Sequence, residues 1–171
     1  MAVPAAAPVR AARWLALGVP VVLLGGALVS QYVFGLHPCE MCWWQRYPHM
    51  LAIPLALLAF FWRPVRPLVA VAALAVLVSG LIGGFHAGVE YGWWQGLTAC
   101  TASPMAGGGD PLDAIMAAPV IRCDVSPWDL FGVSLAGWNF LFSTAGALAV
   151  FGLIAGSGRP AGNAPSRAAE G

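Results

Sequence analysis

Four long apolar runs alternate with short polar links along this chain. The runs extend over residues 14–36, 43–62, 68–85 and 130–154. A helix needs roughly 20 apolar residues to cross the hydrocarbon core of a bilayer, and each run is close to that length or longer. Prolines in the second run are compatible with a membrane helix, because neighbouring helices can satisfy the carbonyl groups that a proline frees. The pattern predicts an all-α membrane protein, a four-transmembrane-helix bundle.

The composition agrees with a membrane protein and excludes other classes. Of the 171 residues, 60% are hydrophobic and only 9% are charged, whereas a soluble domain is about 25% charged. The net charge of +1 leaves no basic surface for nucleic acid. We expect a single membrane domain over residues 1–156. Residues 157–171 are rich in glycine, alanine, proline and serine, which predicts a disordered tail.

A cleaved signal peptide is the alternative for the first apolar run, since Arg10 and Arg13 precede it. The run is longer than a typical signal-peptide core, and it has no clear small-x-small cleavage site before a soluble domain. A lipoprotein signal ending at Cys39 is disfavoured, because His37 and Pro38 are not the small residues expected there. We therefore expect this segment to remain as the first span.

The arginines predict the orientation in the membrane. All eight basic residues are arginines, and cytoplasmic ends carry the excess of positive charge. In a four-span arrangement only Arg46 and Arg122 fall on one side. The arginines on the other side are Arg10, Arg13, Arg63, Arg66, Arg159 and Arg167. Both termini are therefore predicted to be cytoplasmic, in a multi-pass protein of the bacterial inner membrane. All four cysteines then lie on the periplasmic side, where disulfides persist.

The long predicted periplasmic loop, residues 86–129, carries Cys100 and Cys123 and a glycine-rich hinge between them. Asp110 can cap a short helix that has Pro111 at its first position. The apolar residues that would share one face of this helix are Leu112, Ile115 and Met116. We expect an amphipathic helix on the membrane surface; an ordinary packed helix is the alternative.

The pair Cys39 and Cys42 lies at the mouth of the second apolar run. A structural zinc site with Cys100 and Cys123 is disfavoured, because zinc prefers closely spaced ligand pairs and these two are 23 positions apart. A permanent disulfide in so short a ring constrains little of the unfolded chain. We favour thiol–disulfide exchange, which needs a thiolate and a nearby disulfide.

Arg46 follows Cys42 by four residues and so lies on the same face of a helix, with His49 near that face. The first turn of the helix favours a thiolate at Cys42. An arginine within a span indicates a functional site, here a donor to the thiolate or to a ligand carbonyl. A cationic donor beside a thiolate at the lipid boundary suits a quinone. The alternative is an arginine that reaches the interface, with Trp43 and Trp44 as anchors.

Several short motifs occur in a fixed order along the chain. They are Cys39-Glu40-Met41-Cys42 followed by Arg46, then Thr98-Ala99-Cys100, Pro111-Leu112-Asp113, Cys123-Asp124, Trp128-Asp129-Leu130-Phe131-Gly132 and Trp138-Asn139. With this ordered set, residues from about 14 to 155 resemble the disulfide bond formation protein B family, DsbB. Members of that family are inner-membrane, quinone-dependent oxidases of DsbA.

The resemblance implies a role for each cysteine. Cys42 faces the quinone, and Cys39 is its partner in the reoxidised disulfide and exchanges with the loop pair. Cys100 is the cysteine attacked by a reduced, periplasmic DsbA-like protein of the thioredoxin fold. Cys123 then joins Cys39 transiently.

The resemblance also implies a quinone, ubiquinone or menaquinone, as the cofactor, and no metal. Arg46 is expected to lie against this quinone, and His86 resembles a quinone-site histidine of the family. The expected partners are the DsbA-like protein, membrane lipid and the quinone.

Three other functions stay open at this point. A vitamin K epoxide reductase-like oxidase also couples cysteines to a quinone, but there the quinone-facing Cys-x-x-Cys typically comes late in the chain. A DsbB relative could serve another thioredoxin-like partner. A metal-binding membrane protein without turnover belongs to a different class.

Overall fold

The computed structural model describes residues 7–98 and 121–157 of the chain. These residues form four helices and one short hairpin: α1 (Ala7–Tyr32), α2 (Glu40–Phe61), α3 (Val65–Glu90), β1 (Asp129–Leu130), β2 (Val133–Ser134) and α4 (Leu135–Gly156). Each helix packs against its two neighbours around a ring, α1 on α2, α2 on α3, α3 on α4 and α4 on α1. The predicted helical bundle is confirmed. The predicted amphipathic helix at 110–116 and the tail beyond residue 157 lie outside the described residues.

The surface of the bundle is that of a membrane protein. Among the described helices, α1, α3 and α4 are long and apolar enough to cross a bilayer. Large apolar side chains on all four helices point outward, including Val22, Leu51, Leu57, Leu74, Leu81 and Leu148. The α2 helix has 22 residues and contains buried polar side chains, namely Gln45, Arg46 and His49.

The helix limits differ from those of the apolar runs. The first helix ends at Tyr32, four residues before the apolar run does, and Gly35 follows with φ +70°. The third continues past Phe85 to Glu90. The fourth begins only at Leu135, because residues 129–134 form the hairpin. Phe131 and Gly132 have φ values of 54° and 74°, as a two-residue hairpin turn with positive φ at both central positions requires.

One end of the bundle is packed with alanine, and we call it the alanine end. Its buried core consists of Ala12, Ala16, Ala56, Ala59, Val69, Ala72, Ala73 and Val150. Small side chains let membrane helices approach closely, and van der Waals packing then replaces the hydrophobic drive that lipid cannot supply. Cys39, Cys42 and Cys123 lie at the opposite end of the helices.

The α3 and α4 helices approach closely near the cysteines because α3 has glycine there. A Cβ atom at Gly83 would lie 2.9 Å from the carbonyl oxygen of Ala136 and 2.9 Å from Nδ2 of Asn139. Such contacts are shorter than van der Waals distance, so the register of the two helices depends on this glycine.

Candidate functional site

The first pair of cysteines forms the N-terminus of α2. Cys39 is the N-cap residue, with extended backbone, and its sulfur accepts a hydrogen bond of 3.3 Å from the backbone N–H of Cys42. The two Sγ atoms are 3.2 Å apart and both cysteines are reduced. The N-cap position normally takes a serine, threonine or aspartate oxygen; here a sulfur takes that place.

His86 on α3 completes the surroundings of Cys39. Its Nε2 atom lies 3.6 Å from Sγ of Cys39 and 3.1 Å from the carbonyl oxygen of Cys123. Glu90 follows one turn later, with Oε1 3.8 Å from the same nitrogen. The side chains of His86 and Glu90 are both buried, so these polar groups act on the cysteine with little screening by solvent.

The hydrogen bond with Cys42 lowers the pKa of Cys39, and the contact with His86 lowers it further, although burial acts in the opposite direction. When Cys39 is a thiolate, the Cys42 thiol can donate to it across the 3.2 Å gap. The sequence placed the thiolate at Cys42, in the first turn of the helix. In the structure the backbone N–H of Cys42 and Nε2 of His86 both lie close to the sulfur of Cys39.

Cys123 is disulfide-bonded and fully buried. It packs in one cluster with Cys39, Met41 and Val89, and Thr98 donates to its sulfur at 3.4 Å. The loop therefore brings an oxidised cysteine next to the reduced pair. Cys100 lies outside the described residues.

A cavity of about 230 Å³, which we call the Arg46 cavity, lies between α1, α2 and α4. Its polar walls come from Cys42, Gln45, Arg46, His49 and Asn139. The rest of its lining is largely apolar and includes Val22, Leu23, Leu24, Leu36, Leu135 and Trp138. Cysteine sulfur and guanidinium thus share one largely apolar space.

The Arg46 side chain is only 6% exposed and turns towards α1. Nη1 donates to Oε1 of Gln31 at 2.5 Å, and Nη2 donates to the carbonyl oxygen of Ala27 at 3.1 Å. Its Cζ atom lies 5.1 Å from the centre of the Trp43 ring, within range of a cation–π contact. A guanidinium has more N–H donors than these two hydrogen bonds use.

A second cavity, of about 560 Å³, lies on the other side of the pair, and we call it the Cys39 cavity. It is lined by His37, Cys39, Cys42, His86, Glu90, Ile121, Arg122, Val125 and Pro127. Cys42 lines both cavities, whereas Cys39 and His86 line only this one. Of the two residues expected at a quinone, Arg46 therefore borders the first cavity and His86 the second.

A buried hydrogen-bond network links the two cavities, and sequence reasoning did not assign it. Gln45 contacts Nδ1 of His86 at 2.8 Å, and Nδ2 of Asn139 donates to Oε1 of Gln45 at 2.9 Å. Ser79, Ser143 and His49 are further members. The available signal was the spacing of the polar residues within apolar helices, Gln45 and His49 on α2 and Asn139 and Ser143 on α4, each pair four residues apart and so on one face.

Comparisons with known proteins identify the family of this chain. The family model described as disulfide bond formation protein DsbB matches residues 9–153. A disulfide bond formation protein B of Polaromonas naphthalenivorans is 31% identical over 156 residues, covering 87% of this chain and 89% of that protein.

Two further relatives match over segments of similar length. A protein of the same name from Neisseria meningitidis serogroup A is 30% identical over 153 residues, covering 83% of this chain and 93% of that protein. An uncharacterised protein of Rickettsia prowazekii is 23% identical over 141 residues, covering 80% and 81%. No solved structure matches. The match over most of the length confirms the resemblance: this chain belongs to the DsbB family of membrane proteins, which take part in disulfide bond formation.

Proposed function

We propose that this protein is a quinone-dependent membrane thiol oxidase that reoxidises a periplasmic DsbA-like dithiol oxidase. The observation that supports this most is the position of the Cys39–Cys42 pair between two cavities. Cys42 borders the apolar space that contains Arg46, and Cys39 borders the space next to Cys123. One pair can therefore exchange with a loop disulfide on one side and deliver electrons on the other.

The proposed relay conserves electrons at each exchange. The thiolate of the DsbA-like partner attacks Cys100, so that the partner dithiol becomes a disulfide and the loop pair becomes a dithiol. Cys123 then attacks Cys39 of the oxidised Cys39–Cys42 disulfide, Cys42 leaves as a thiolate, and Cys100 resolves the Cys39–Cys123 bond. The low pKa of Cys39 suits it to act as the leaving group in that last exchange, since a thiol of lower pKa leaves faster.

The Arg46 cavity fits a quinone headgroup in its chemistry. When bound, a quinone accepts the two electrons and two protons that the Cys39–Cys42 dithiol loses on oxidation. In the proposal Arg46 donates a hydrogen bond to a carbonyl oxygen, and the apolar side chains of α1 and α4 exclude water. Turnover measured separately with ubiquinone and with menaquinone distinguishes the two cofactors. The contact of His86 with a quinone stays a prediction.

We propose the four-span topology together with this function, in the bacterial inner membrane. Both termini are cytoplasmic, α2 is the second span, and the cysteines face the periplasm. The arrangement is supported by Arg63 and Arg66 at the α2–α3 link, which is at the end of α2 opposite Cys39 and Cys42. A topology reporter fused after Gly156 should report a cytoplasmic position; a periplasmic signal would overturn the four-span arrangement.

The test of the function is turnover with purified components. Protein in detergent is mixed with a quinone and a reduced DsbA-like protein, and quinone loss is followed by absorbance. We expect catalytic loss of quinone with matching formation of the partner disulfide. Cys42→Ala, which lacks one of the two sulfur atoms, is the matched control and should give no catalytic loss. Equal rates for the two proteins would refute the proposal.

A metal-binding protein without turnover remains the second candidate, because one observation favours it. The thiols of Cys39 and Cys42 and a ring nitrogen of His86 all lie within 4.8 Å of one another, which is compatible with three ligands of a tetrahedral zinc ion. Metal analysis of the purified protein separates the candidates: one stoichiometric zinc with no quinone-linked activity would favour this one. A vitamin K epoxide reductase-like oxidase is disfavoured, since the Cys-x-x-Cys follows the first helix here.

A further inference from the structure

The orientation of the Gln45 side-chain amide is fixed by its neighbours. The amide nitrogen Nε2 lies 3.2 Å from the backbone carbonyl oxygen of Met41. A carbonyl oxygen only accepts hydrogen bonds, so the nitrogen and not the oxygen of the amide must be at this position. The amide oxygen Oε1 then accepts from Nδ2 of Asn139 at 2.9 Å.

Asn139 is fixed in the same way, independently of Gln45. Its Nδ2 atom lies 3.2 Å from the backbone carbonyl oxygen of Ser79, which again requires the nitrogen there. Its Oδ1 atom accepts from Oγ of Ser143 at 2.9 Å and lies 3.0 Å from Nε2 of His49. If the oxygen and nitrogen of either amide exchanged places, the amide oxygen would face a backbone carbonyl oxygen, that of Met41 for Gln45 or of Ser79 for Asn139. Each such buried pair of acceptors without a donor would lower the stability of the fold.

These orientations determine which nitrogen of His86 carries the hydrogen. Gln45 offers its N–H group to Nδ1 of His86 at 2.8 Å, so Nδ1 must be the bare, accepting nitrogen. The carbonyl oxygen of Cys123 lies 3.1 Å from Nε2 and requires an N–H on that atom. Two independent contacts therefore select the same neutral tautomer, with hydrogen on Nε2, and Nε2 is the atom that faces Sγ of Cys39 at 3.6 Å.

We propose that Gln45 is a positioning residue, which holds His86 as an Nε2–H donor to the Cys39 sulfur. The proposal adds a role for Gln45 to the thiol oxidase function proposed above, and its consequence for turnover rests on that function. A neutral ring with hydrogen on Nε2 cannot take the proton of Cys39, since its bare nitrogen is occupied by Gln45. His86 therefore stabilises the Cys39 thiolate as a hydrogen-bond donor and is not its general base.

The same arrangement disfavours a metal at this cluster. A histidine that binds zinc presents its bare nitrogen to the ion and donates its other N–H to an acceptor behind it. At His86 the two nitrogens have the opposite roles: the N–H faces the sulfur atoms, and the residue behind it, Gln45, is a donor. Zinc binding at His86 would require the side-chain amides of Gln45 and Asn139 to exchange the positions of their oxygen and nitrogen atoms.

The titratable groups around His86 are Cys39, Cys42 and Glu90, with Arg122 on the far wall of the Cys39 cavity. The experiment uses reduced protein in detergent, without quinone or partner, so that its result does not depend on the proposed turnover. Nitrogen-15 spectra of labelled histidine distinguish a bare ring nitrogen from an N–H, and loss of a signal in a His86 variant assigns the ring. We expect His86 with hydrogen on Nε2 between about pH 5 and 8.

Gln45→Glu has nearly the same shape but cannot donate at Nδ1. We expect Nδ1 of His86 to gain a hydrogen in this variant, whereas Ser143→Ala, which removes a donor at the far end of the network, should leave the ring unchanged. Wild-type His86 with hydrogen on Nδ1, or a His86 ring that is the same in Gln45→Glu as in wild type, would overturn the proposal.

A second measurement tests the effect on Cys39. The rate of Cys39 alkylation is followed against pH by mass spectrometry of the cysteine peptides. His86→Leu removes the donor and should shift the curve to higher pH by about one unit, which is about tenfold less thiolate at a given pH. His86→Gln can place an amide N–H near the position of Nε2 and should restore most of the shift. Identical curves for the two variants would show that His86 only fills space.

Discussion

The two ends of the helix bundle are built on opposite principles. At the alanine end, all four helices meet through buried alanines and two valines. At the cysteine end, the same helices enclose buried polar side chains, among them Gln45, Arg46, His49, Ser79, His86 and Ser143. Close van der Waals packing stabilises the first. At the second, hydrogen bonds between the side chains pair most of the buried polar groups, because an unpaired polar group in an apolar environment is costly.

The difference shows where the protein is constrained by chemistry. A core of alanine specifies proximity between helices but tolerates small rotations. A chain of hydrogen bonds from Cys39 through His86, Gln45 and Asn139 to His49 specifies rotation as well, because each contact has a direction. The α2 helix contributes to both ends, with Ala56 and Ala59 in the alanine core and Gln45 and Arg46 at the cysteine end.

The largest effect is expected from a substitution that removes the function of the loop pair, Cys100 and Cys123, and leaves that of the bundle pair, Cys39 and Cys42. Cys100→Ala should abolish oxidation of the DsbA-like partner, by on the order of a thousandfold or more, because the attacked sulfur is missing. Reduced Cys39 and Cys42 in the same variant should still be oxidised by quinone in a single turnover. The two activities are measured separately, by partner disulfide formation and by trapping of free thiols. Partner oxidation at the normal rate in Cys100→Ala would show that the relay order is wrong.

The next effect concerns the one buried cation of the cysteine end among the described residues, Arg46. Arg46→Ala removes a charged donor, which contributes about 1.5–3 kcal/mol in typical cases, so we expect the KM for quinone to rise by about tenfold to a hundredfold. Arg46→Lys keeps the charge but loses the planar fork and its contacts to Gln31 and Ala27, and its KM should rise less. Exchange of the loop pair with the partner should survive in both.

The measurement for Arg46 is the dependence of rate on quinone concentration, for wild type and both variants in one detergent. The hydrogen bonds of Arg46 to α1 introduce a second possible role, as a link between helices. Thermal unfolding distinguishes the two roles: an unchanged KM with a lowered unfolding temperature would mean that Arg46 joins α1 to α2 and does not contact the quinone.

Sequence reasoning predicted what depends on local pattern. The four helices follow from the apolar runs, and the cysteines, Arg46 and the family resemblance follow from spacing within single segments. The helix limits were less accurate where local turns interrupt an apolar run, as at Phe131 and Gly132, whose positive φ values form a hairpin inside the predicted fourth span. Hydropathy does not register such a turn, because its side chains are apolar.

The network could not be predicted because it depends on how the helices are rotated about their axes. Gln45 and Asn139 are 94 positions apart, and His86 meets Cys39 from another helix at a distance of 47 positions. Amphipathic patterning usually gives the inward face of a helix, but in a membrane both faces are apolar and that signal is weak. Helix spacing places His49 near Cys42 and Arg46, but its partners on α4, Asn139 and Ser143, depend on the packing of the helices.

A smaller effect tests whether the cysteine end tolerates less change than a lipid-facing surface. Gly83→Ala places a methyl group 2.9 Å from a backbone oxygen and beside the amide of Asn139, and overpacking of this kind typically costs about 1–3 kcal/mol. Gly18→Ala in α1 is the matched control, because nothing lies within 4 Å of the added carbon and alanine favours a helix. We expect a lower unfolding temperature for the first variant only. Equal unfolding temperatures would mean that α3 can shift freely past α4.

The smallest effect is expected for a polar contact outside the bundle. Arg122 donates from Nε to Oδ1 of Asp124 at 2.9 Å and from Nη2 to Oδ2 at 2.5 Å, on the surface beside Cys123. This contact holds the pKa of Asp124 below its usual value, so any stabilisation is present near neutral pH and is lost as the pH falls through the lowered pKa. Exposed ion pairs contribute little and are screened by salt, in contrast to the buried network around Gln45. Arg122→Gln should therefore change the unfolding temperature only slightly at pH 7 and low salt, and less still once the Asp124 carboxyl group is protonated or at about 1 M salt. A large change that persists in high salt would show that Arg122, which also lines the Cys39 cavity, belongs to the site rather than to the surface.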